Sequence, residues 1–300
     1  MKAMIILNPS SGKEKAVDYA EKIEETLREK YDDIDIRRTE KEGDAAAFAT
    51  EACIALYDAV IAMGGDGTIN EAINGVAEQA HRPALGIIPL GTVNDFARAL
   101  NIPLDPYEAI SILEEQNLQP VDIGKINEHY FANVIAVGGI AEASYNVSPE
   151  LKTRLGSLAY FMEGAKSFLN GEAIDISVEH DNGKWEGQTF LLLAALTNSV
   201  GGFESLAPHA SVNDGKFHAF IIKKMSVPKI ASLLPSLMKG ELEESEEVEY
   251  IRTSSLKVTS DKQHVVNIDG EEGEPLPFQA RVLPGHLDVF VPKKKNEPKT

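Results

Sequence analysis

Cysteine is nearly absent: Cys53 is the only one in 300 residues, so no disulfide can form within the chain and a reducing compartment is expected. Long apolar runs are missing too. The longest clean run, Phe190 to Leu196, falls far short of the roughly 18 residues a membrane-spanning helix needs and suits a buried strand instead. The N-terminal run Met4 to Leu7 stops at Asn8-Pro9, too short for the apolar core of a secretory signal. Positive charge is scarce, with 29 Lys and Arg against 47 Asp and Glu, and the formal charge of −18 argues against a protein that coats nucleic acid. No basic helix or RNA-binding motif is present, and the seven histidines are scattered without ligand spacing. A cytoplasmic location follows as an expectation, with any membrane contact peripheral and transient, at the inner face.

What is present is an ordinary folding composition, 43% apolar and 25% charged, in a length that suggests two domains. The first 120 residues alternate apolar runs with amphipathic stretches. Strands are expected at Ala3 to Leu7, Ile34 to Arg38, Ala59 to Met63 and Leu85 to Pro89. Helices are expected at Glu14 to Lys30, with Val17, Ala20, Ile23 and Leu27 on one face, at Asp44 to Leu56 and at Thr68 to Ala77. Such βαβ alternation predicts a doubly wound, Rossmann-like α/β domain with a mostly parallel sheet. After Pro120 the rhythm changes. Val121 to Ile126 and His129 to Val137, joined by Asn127-Glu128, read as a hairpin, which places a boundary near residue 124. A helical stretch from Pro149 to Asn170 precedes short strands at Ile174 to His180 and Phe190 to Leu196, the first closed by the turn Asp181-Asn182-Gly183. The second domain is expected to be mainly antiparallel β, a sandwich. Glu241 to Glu249, with six glutamates in nine residues, reads as a solvated loop, and the tail from Lys293 as disordered.

Three segments carry chemistry. Gly64-Gly65-Asp66-Gly67-Thr68 leaves an apolar strand and opens a helix, where free backbone N–H groups and the helix dipole favour a phosphate. It is not a Walker A loop, because Gly12-Lys13 is followed by Glu14, nor a dinucleotide fingerprint, because Asn70 stands at the third glycine position. Alone, it reads equally well as a tight turn, although Asp66 suits a metal or ribose contact. Pro89 to Arg98, containing Gly91-Thr92-Val93-Asn94-Asp95, repeats the strand-to-helix passage, and Asn8 to Gly12 follows the first strand. All three lie on the carboxyl edge of a parallel sheet, where open α/β sheets bind ligands. Asn94 or Asp95 taken singly also reads as a helix cap. Far downstream, Val265 to Ile268 leads into Asp269-Gly270-Glu271. If the strand continues, the i, i+2 spacing puts both carboxylates on one side, although Asp-Gly-Glu is also a common hairpin turn. Phosphoryl transfer to an alcohol asks for this equipment: a base for the hydroxyl proton and neutralisation of phosphate charge.

The residues from Asn8 to Gly12, Gly64 to Glu71, Pro89 to Arg98, Ser211 to Gly215 and Ile268 to Glu271 together resemble the diacylglycerol kinase catalytic-domain family, in its soluble bacterial lipid-kinase branch. The resemblance implies an ATP-binding domain at residues 1–124, to which a strand at 287–292 returns, a lipid-substrate β domain at 125–286, and an active site in the cleft between them. It implies ATP and Mg²⁺ as cofactors. Nucleotide contacts would come from Asn8, Pro9, Ser10, Ser11, Gly12, Thr39, Gly65, Asp66, Gly67, Thr68, Ile69, Asn70, Glu71 and Thr92. Glu271 would be the proton acceptor, with Asp269 beside it and Asp95 in the carboxylate and water network around catalytic Mg²⁺. A structural Mg²⁺ site would map onto Asp214 with the carbonyls of Ser211 and Lys216, although Asn213 stands where relatives often have a second aspartate.

NAD kinase, which shares Gly-Gly-Asp-Gly-Thr, and a catalytically silent nucleotide-binding regulator are the alternatives. The lipid acceptor is open among diacylglycerol, sphingoid bases, phosphatidylglycerol and isoprenoid or polyketide alcohols, with diacylglycerol the family default. Two apolar stripes, Leu155, Leu158, Met162, Ala165 and Leu169, and Ile230, Leu233, Leu234, Leu237 and Met238, could face such a lipid or simply be core. Lys223, Lys224, Lys229 and Lys239 are expected to offset the acidic surface locally at an anionic membrane. A homodimer is left open.

Overall fold

The computed structural model describes residues 1–11, 16–138, 173–202, 207–226, 229, 233, 235–236 and 239–293. The expected helix at Pro149 to Asn170 with its apolar stripe, the tail beyond Lys293, the side chain of Val17, and Ile230, Leu234, Leu237 and Met238 lie outside these residues. The chain divides into two compact units, Met1–Val121 with Gly285–Thr300, and Asp122–Pro284.

The first unit alternates β1 (Lys2–Leu7), α1 (Ala16–Leu27), β2 (Asp33–Arg38), α2 (Asp44–Ile54), β3 (Ala59–Gly64), α3 (Asp66–Val76) and β4 (Ala84–Pro89), followed by α4 (Asp95–Ala99) and α5 (Pro106–Glu115). The strands run parallel in the order β2-β1-β3-β4, as their continuous apolar character requires of a sheet covered on both faces. Every residue of β3 is buried. Ala20, Ile23 and Leu27 bury one face of α1, as their spacing predicts. Helices α2 and α3 cross closely at Gly75, where a Cβ would sit 2.3 Å from the carbonyl oxygen of Ala46. Cys53 is buried beside that crossing, and burial pushes its thiol up to about 11, so it is inert as a nucleophile.

The second unit holds most of β5 (Leu118–Ile126), then β6 (His129–Phe131), β7 (Val134–Val137), β8 (Ile174–His180), β9 (Gly183–Ala195), β10 (Phe217–Lys223), β11 (Val248–Thr253), β12 (Ser255–Thr259), β13 (Val266–Ile268) and β14 (Glu271–Glu272), and the start of β15 (Phe278–Phe290). Its pairings are antiparallel. The long β9 pairs with β8 through its first half and with β7 and β10 through its second, and a core that includes Phe131, Leu192, Phe217 and Phe278 fills the interior. The end of β15 belongs to the first unit, where Val289 pairs in parallel with Leu85 of β4.

Two expectations are corrected here. The hairpin after Pro120 is shorter than predicted: β6 pairs with β5 only from His129 to Phe131, and the chain then breaks at Ala132-Asn133 so that β7 joins β13 and β9. The acidic run Glu241 to Glu249 is not a free loop. It forms a 3-10 turn at Leu242–Glu244 and enters β11, because Leu242 and Val248 bury against Phe220 and Leu233. Its glutamates also hold the lysines expected to face a membrane: Lys223 pairs with Glu249 at 3.0 Å, Lys239 with Glu241 at 3.9 Å, and Lys229 with Glu247. Lys224 donates to the neutral Gln188 Oε1 at 2.8 Å. Among the described residues, no helix is long and apolar enough to cross a membrane.

Asp181, in the β8–β9 turn, accepts the Ser254 N–H and the hydroxyls of Ser254 and Ser255, each at 2.7 Å, and so ties that hairpin to the passage from β11 to β12. These donors hold its carboxyl well below the ordinary aspartate value of 3.8. Because the folded pKa is depressed, the stabilisation is present above that value and is lost as pH falls through the folded pKa. Asp181→Asn is expected to lower the melting temperature by a few degrees at pH 7. The gap to the wild-type chain should close as a pH series of melts descends below pH 4.

Candidate active site

In the first unit β1 has β2 on one side and β3 on the other, so the strand order reverses between β1 and β3. Successive crossovers therefore leave β1 and β3 toward opposite sides, opening a crevice at their carboxyl ends. Asn8 to Ser11 follow β1 there, Gly65 to Thr68 follow β3, and Leu90 to Asn94 follow β4. Gly12, expected in the first turn, lies outside the described residues.

These turns are bonded to one another. Asn8 donates its N–H to the carbonyl of Met63 at 3.0 Å and its Nδ2 to Thr68 Oγ1 at 3.0 Å, while its Oδ1 accepts the Ser10 N–H at 3.0 Å. Gly64 has no room for a side chain, since a Cβ would fall 2.5 Å from Thr68 Oγ1. Helix α3 starts at Asp66 with no side-chain cap from Gly65, so the N–H groups of its first turn have no helical acceptor and point out of the positive end of the dipole. Asp66 reaches the third turn, accepting the N–H of Asn94 at 2.9 Å and of Asp95 at 3.0 Å, and so caps α4 from another element. Burial raises the Asp66 pKa; the two N–H groups pull it back, and the charge of Asp95 adds to the rise. Pro9, Ser10 and Thr92 are exposed at this edge, and Asp95 is half-buried.

Several expected contacts have a different local role. Ile69 is buried, 2% exposed, and its N–H is given to Gly65 at 3.1 Å, so its side chain is core and offers a ligand nothing. Glu71 accepts the Ala45 N–H at 3.0 Å and supplies the cap that Gly43 lacks at the start of α2. Asn70 Oδ1 accepts from Asn74 Nδ2 at 2.9 Å. Thr39 is half-buried where β2 ends, its N–H given to the Leu7 carbonyl at 2.9 Å, which places it beside the Asn8 turn.

In the second unit the i, i+2 strand reading of Asp269 and Glu271 is corrected. Asp269 (φ 50°) and Gly270 (φ 96°) form a two-residue turn with Ile268 opposite Glu271, so the carboxylates stand on a hairpin tip. The Asp269 carboxylate accepts three backbone N–H groups, from Ala132 at 2.7 Å, Asn133 at 2.9 Å and Val134 at 2.8 Å. Glu271 is exposed. A carboxylate engaged three times over suits anchoring, and an exposed one suits proton exchange.

The proposed metal set at Ser211, Asp214 and Lys216 is drawn into other bonds. Asp214 Oδ2 faces His218 Nε2 at 2.9 Å and accepts from Arg252 at 3.2 Å, its Oδ1 accepts the Lys216 N–H at 3.0 Å, and the Ser211 carbonyl accepts the Asp214 N–H at 3.2 Å. Burial works to raise the Asp214 pKa, yet His218 and Arg252 hold it lower on balance. A guanidinium on the ligand oxygen competes with a dication there. The expected Mg²⁺ would take its place beside the Asp214 carboxylate only by displacing the half-exposed Arg252 side chain.

The residue that sequence reasoning undervalued is Asn94. Read as an interchangeable cap, it instead turns its side chain back on Gly91. The signal was there in an asparagine following a glycine-containing turn, since Asn tolerates the left-handed backbone that such a reversal needs.

A doubly wound unit with three turns bonded together at the carboxyl edge of its sheet, together with an antiparallel β unit, defines a two-domain α/β protein with a candidate ligand site at that edge. Comparison with known proteins sharpens this. Residues 2–126 match the model of the diacylglycerol kinase catalytic domain, and residues 133–291 that of the YegS C-terminal NAD kinase beta sandwich-like domain. The chain is 40% identical over 297 residues to a diacylglycerol kinase of Staphylococcus saprophyticus, covering 99% of this chain and 97% of the relative. It is 38% identical over 297 residues to the diacylglycerol kinase of Bacillus subtilis, covering 99% and 98%. A crystal structure of a diacylglycerol kinase from Bacillus anthracis superposes with a TM-score of 0.83 at 27% identity, covering 97% of each chain. The chain belongs to the diacylglycerol kinase catalytic-domain family.

Proposed function

We propose that the protein transfers the γ-phosphoryl group of ATP, with Mg²⁺, to the hydroxyl of a membrane lipid, diacylglycerol giving phosphatidic acid. The observation that carries this reading is the set of three turns tied together at the switch point, with the first-turn N–H groups of α3 turned outward. The fit to a nucleotide rests on glycines that let the turns pack against one another at Gly64, Gly65 and Gly91, and on small polar groups beside them. Asn8 to Ser11, Thr39, Gly65 to Thr68 and Thr92 surround the phosphates and sugar. Mg²⁺ would be held at Asp95, with Asp66 behind it, and supplies neutralisation of the phosphate charge. The N–H groups at the α3 terminus stabilise the charge spread over the transferring oxygens. Glu271 takes the proton of the lipid hydroxyl as its oxygen attacks the γ-phosphorus and the bond from that phosphorus to the β,γ-bridging oxygen breaks, releasing ADP, and Asp269 fixes the hairpin that carries Glu271. We further propose that residues 1–124 with 287–292 serve the nucleotide and residues 125–286 the lipid.

The test is transfer from γ-labelled ATP with Mg²⁺ to diacylglycerol in mixed micelles, with NAD as acceptor in a parallel reaction. Labelled phosphatidic acid is expected. Label in NADP would move the protein to the NAD kinase reading, which the description of its second unit keeps in view. Label in neither would leave a nucleotide-binding regulator or another lipid alcohol. A second prediction concerns Asp66, whose carboxylate joins two of the turns. Asp66→Ala is expected to weaken Mg-ATP binding about tenfold or more by calorimetry, and an unchanged dissociation constant would contradict the nucleotide site.

A further inference from the structure

Asn94 is 3% exposed and holds left-handed backbone angles, φ 56° and ψ 48°. It stands at the cap position of α4, yet its side chain caps nothing. Its Oδ1 accepts the Gly91 N–H at 3.0 Å and its Nδ2 donates to the Gly91 carbonyl at 2.9 Å, so one primary amide satisfies both backbone groups of a single residue. A carboxylate lacks the donor for this and a short hydroxyl lacks the reach. The main-chain N–H of the same residue goes to Asp66 Oδ2 at 2.9 Å, so Asn94 grips its own turn with its side chain and the glycine turn with its backbone. There is no slack in the arrangement. A Cβ on Gly91 would lie 2.7 Å from Asn94 Oδ1 and 2.9 Å from the Cα of Gly65.

From this geometry we propose that Asn94 is a positioning residue for the phosphate-binding edge. It orients the Gly91–Thr92 peptide and thereby aims exposed Thr92 at the ligand that the α3 N–H groups hold, without touching that ligand itself. The inference rests on the nucleotide reading of this edge and deepens it.

The experiment uses the full chain with three substitutions. Asn94→Gly keeps the left-handed backbone free of strain and deletes only the amide. Asn94→Asp keeps the shape but turns the donor into an acceptor facing the Gly91 carbonyl, beside Asp66. Ile73→Val trims a buried α3 side chain and serves as a stability control. Gly91 is exposed, so water can replace the lost amide and Asn94→Gly should fold. By calorimetry with Mg-ATP, Asn94→Gly is expected to raise the dissociation constant about tenfold and KM for ATP with it, with kcat held within about threefold; Asn94→Asp should lose more. Ile73→Val should lower the melting temperature and leave affinity unchanged. Wild-type affinity in Asn94→Gly would overturn the inference alone, as would an affinity loss that Ile73→Val reproduces. A wild-type chain that binds no Mg-ATP would remove the nucleotide reading and the inference with it.

Discussion

Glu271→Gln is expected to lower kcat by about 10²- to 10⁴-fold while leaving the ATP dissociation constant and the melting temperature near wild type. The hairpin geometry supports all three parts of this expectation. Glu271 is exposed at the start of β14, opposite Ile268 in the ladder, so its side chain supports no core. Glutamine keeps the volume and the backbone pairing, and it removes the charge together with the capacity to take a proton. Folding energy should therefore be almost untouched, whereas a lipid hydroxyl with an alcohol's high pKa is left without an acceptor for its proton. The nucleotide contacts proposed at the carboxyl edge of the parallel sheet involve other residues, which is why affinity should hold. The check is steady-state transfer to diacylglycerol together with calorimetry on the same preparation. Near-normal turnover would take Glu271 out of the mechanism, and loss of ATP affinity in step with turnover would make it a binding residue.

Much of the first unit was legible because its signals are local. Ala59 to Met63 is a continuous apolar run that only a covered parallel strand tolerates, and the glycines after it mark the passage into a helix. Where elements gather at one sheet edge, chain order and right-handed crossovers suffice to bring Asn8, Gly64 to Thr68 and Leu90 to Asn94 together. What the sequence hid is decided by partners distant along the chain. Asp66 resembles a ligand residue in its motif, but its two oxygens are engaged by backbone 28 and 29 residues away. Glu241 to Glu249 looks like a solvated stretch until Leu242 and Val248 find Phe220 and Leu233, and until lysines from elsewhere supply the counter-charge. Asp214 reads as a cation ligand when taken with its immediate neighbours; Arg252, 38 residues on, changes its electrostatics. Periodicity and turn chemistry reveal where backbone goes, whereas the job of a carboxylate depends on which donors arrive from afar.

Asp269→Asn is expected to be the most destabilising conservative change at the candidate site, by about 2–4 kcal/mol, or roughly 2–4 °C in melting temperature for each kcal/mol. The carboxylate collects the N–H groups of Ala132, Asn133 and Val134, all buried residues at the break between β6 and β7, and its own backbone N–H is given to the Val134 carbonyl at 3.0 Å. With the strand broken there, the carboxylate supplies the acceptor that a ladder partner would otherwise give these buried N–H groups. Asparagine tolerates the positive φ of 50°, so the substitution adds no backbone strain and isolates the loss of acceptor oxygen; its amide would set an N–H₂ against an N–H. Glu271, two residues on, should then be held less firmly, and kcat should fall about tenfold with the ATP affinity intact. That combination separates anchoring from chemistry. A base removed at Asp269 would abolish turnover in a chain that melts like the wild type, whereas a removed anchor costs stability first and turnover second, and melting curves paired with kcat for Asp269→Asn and Glu271→Gln distinguish the two.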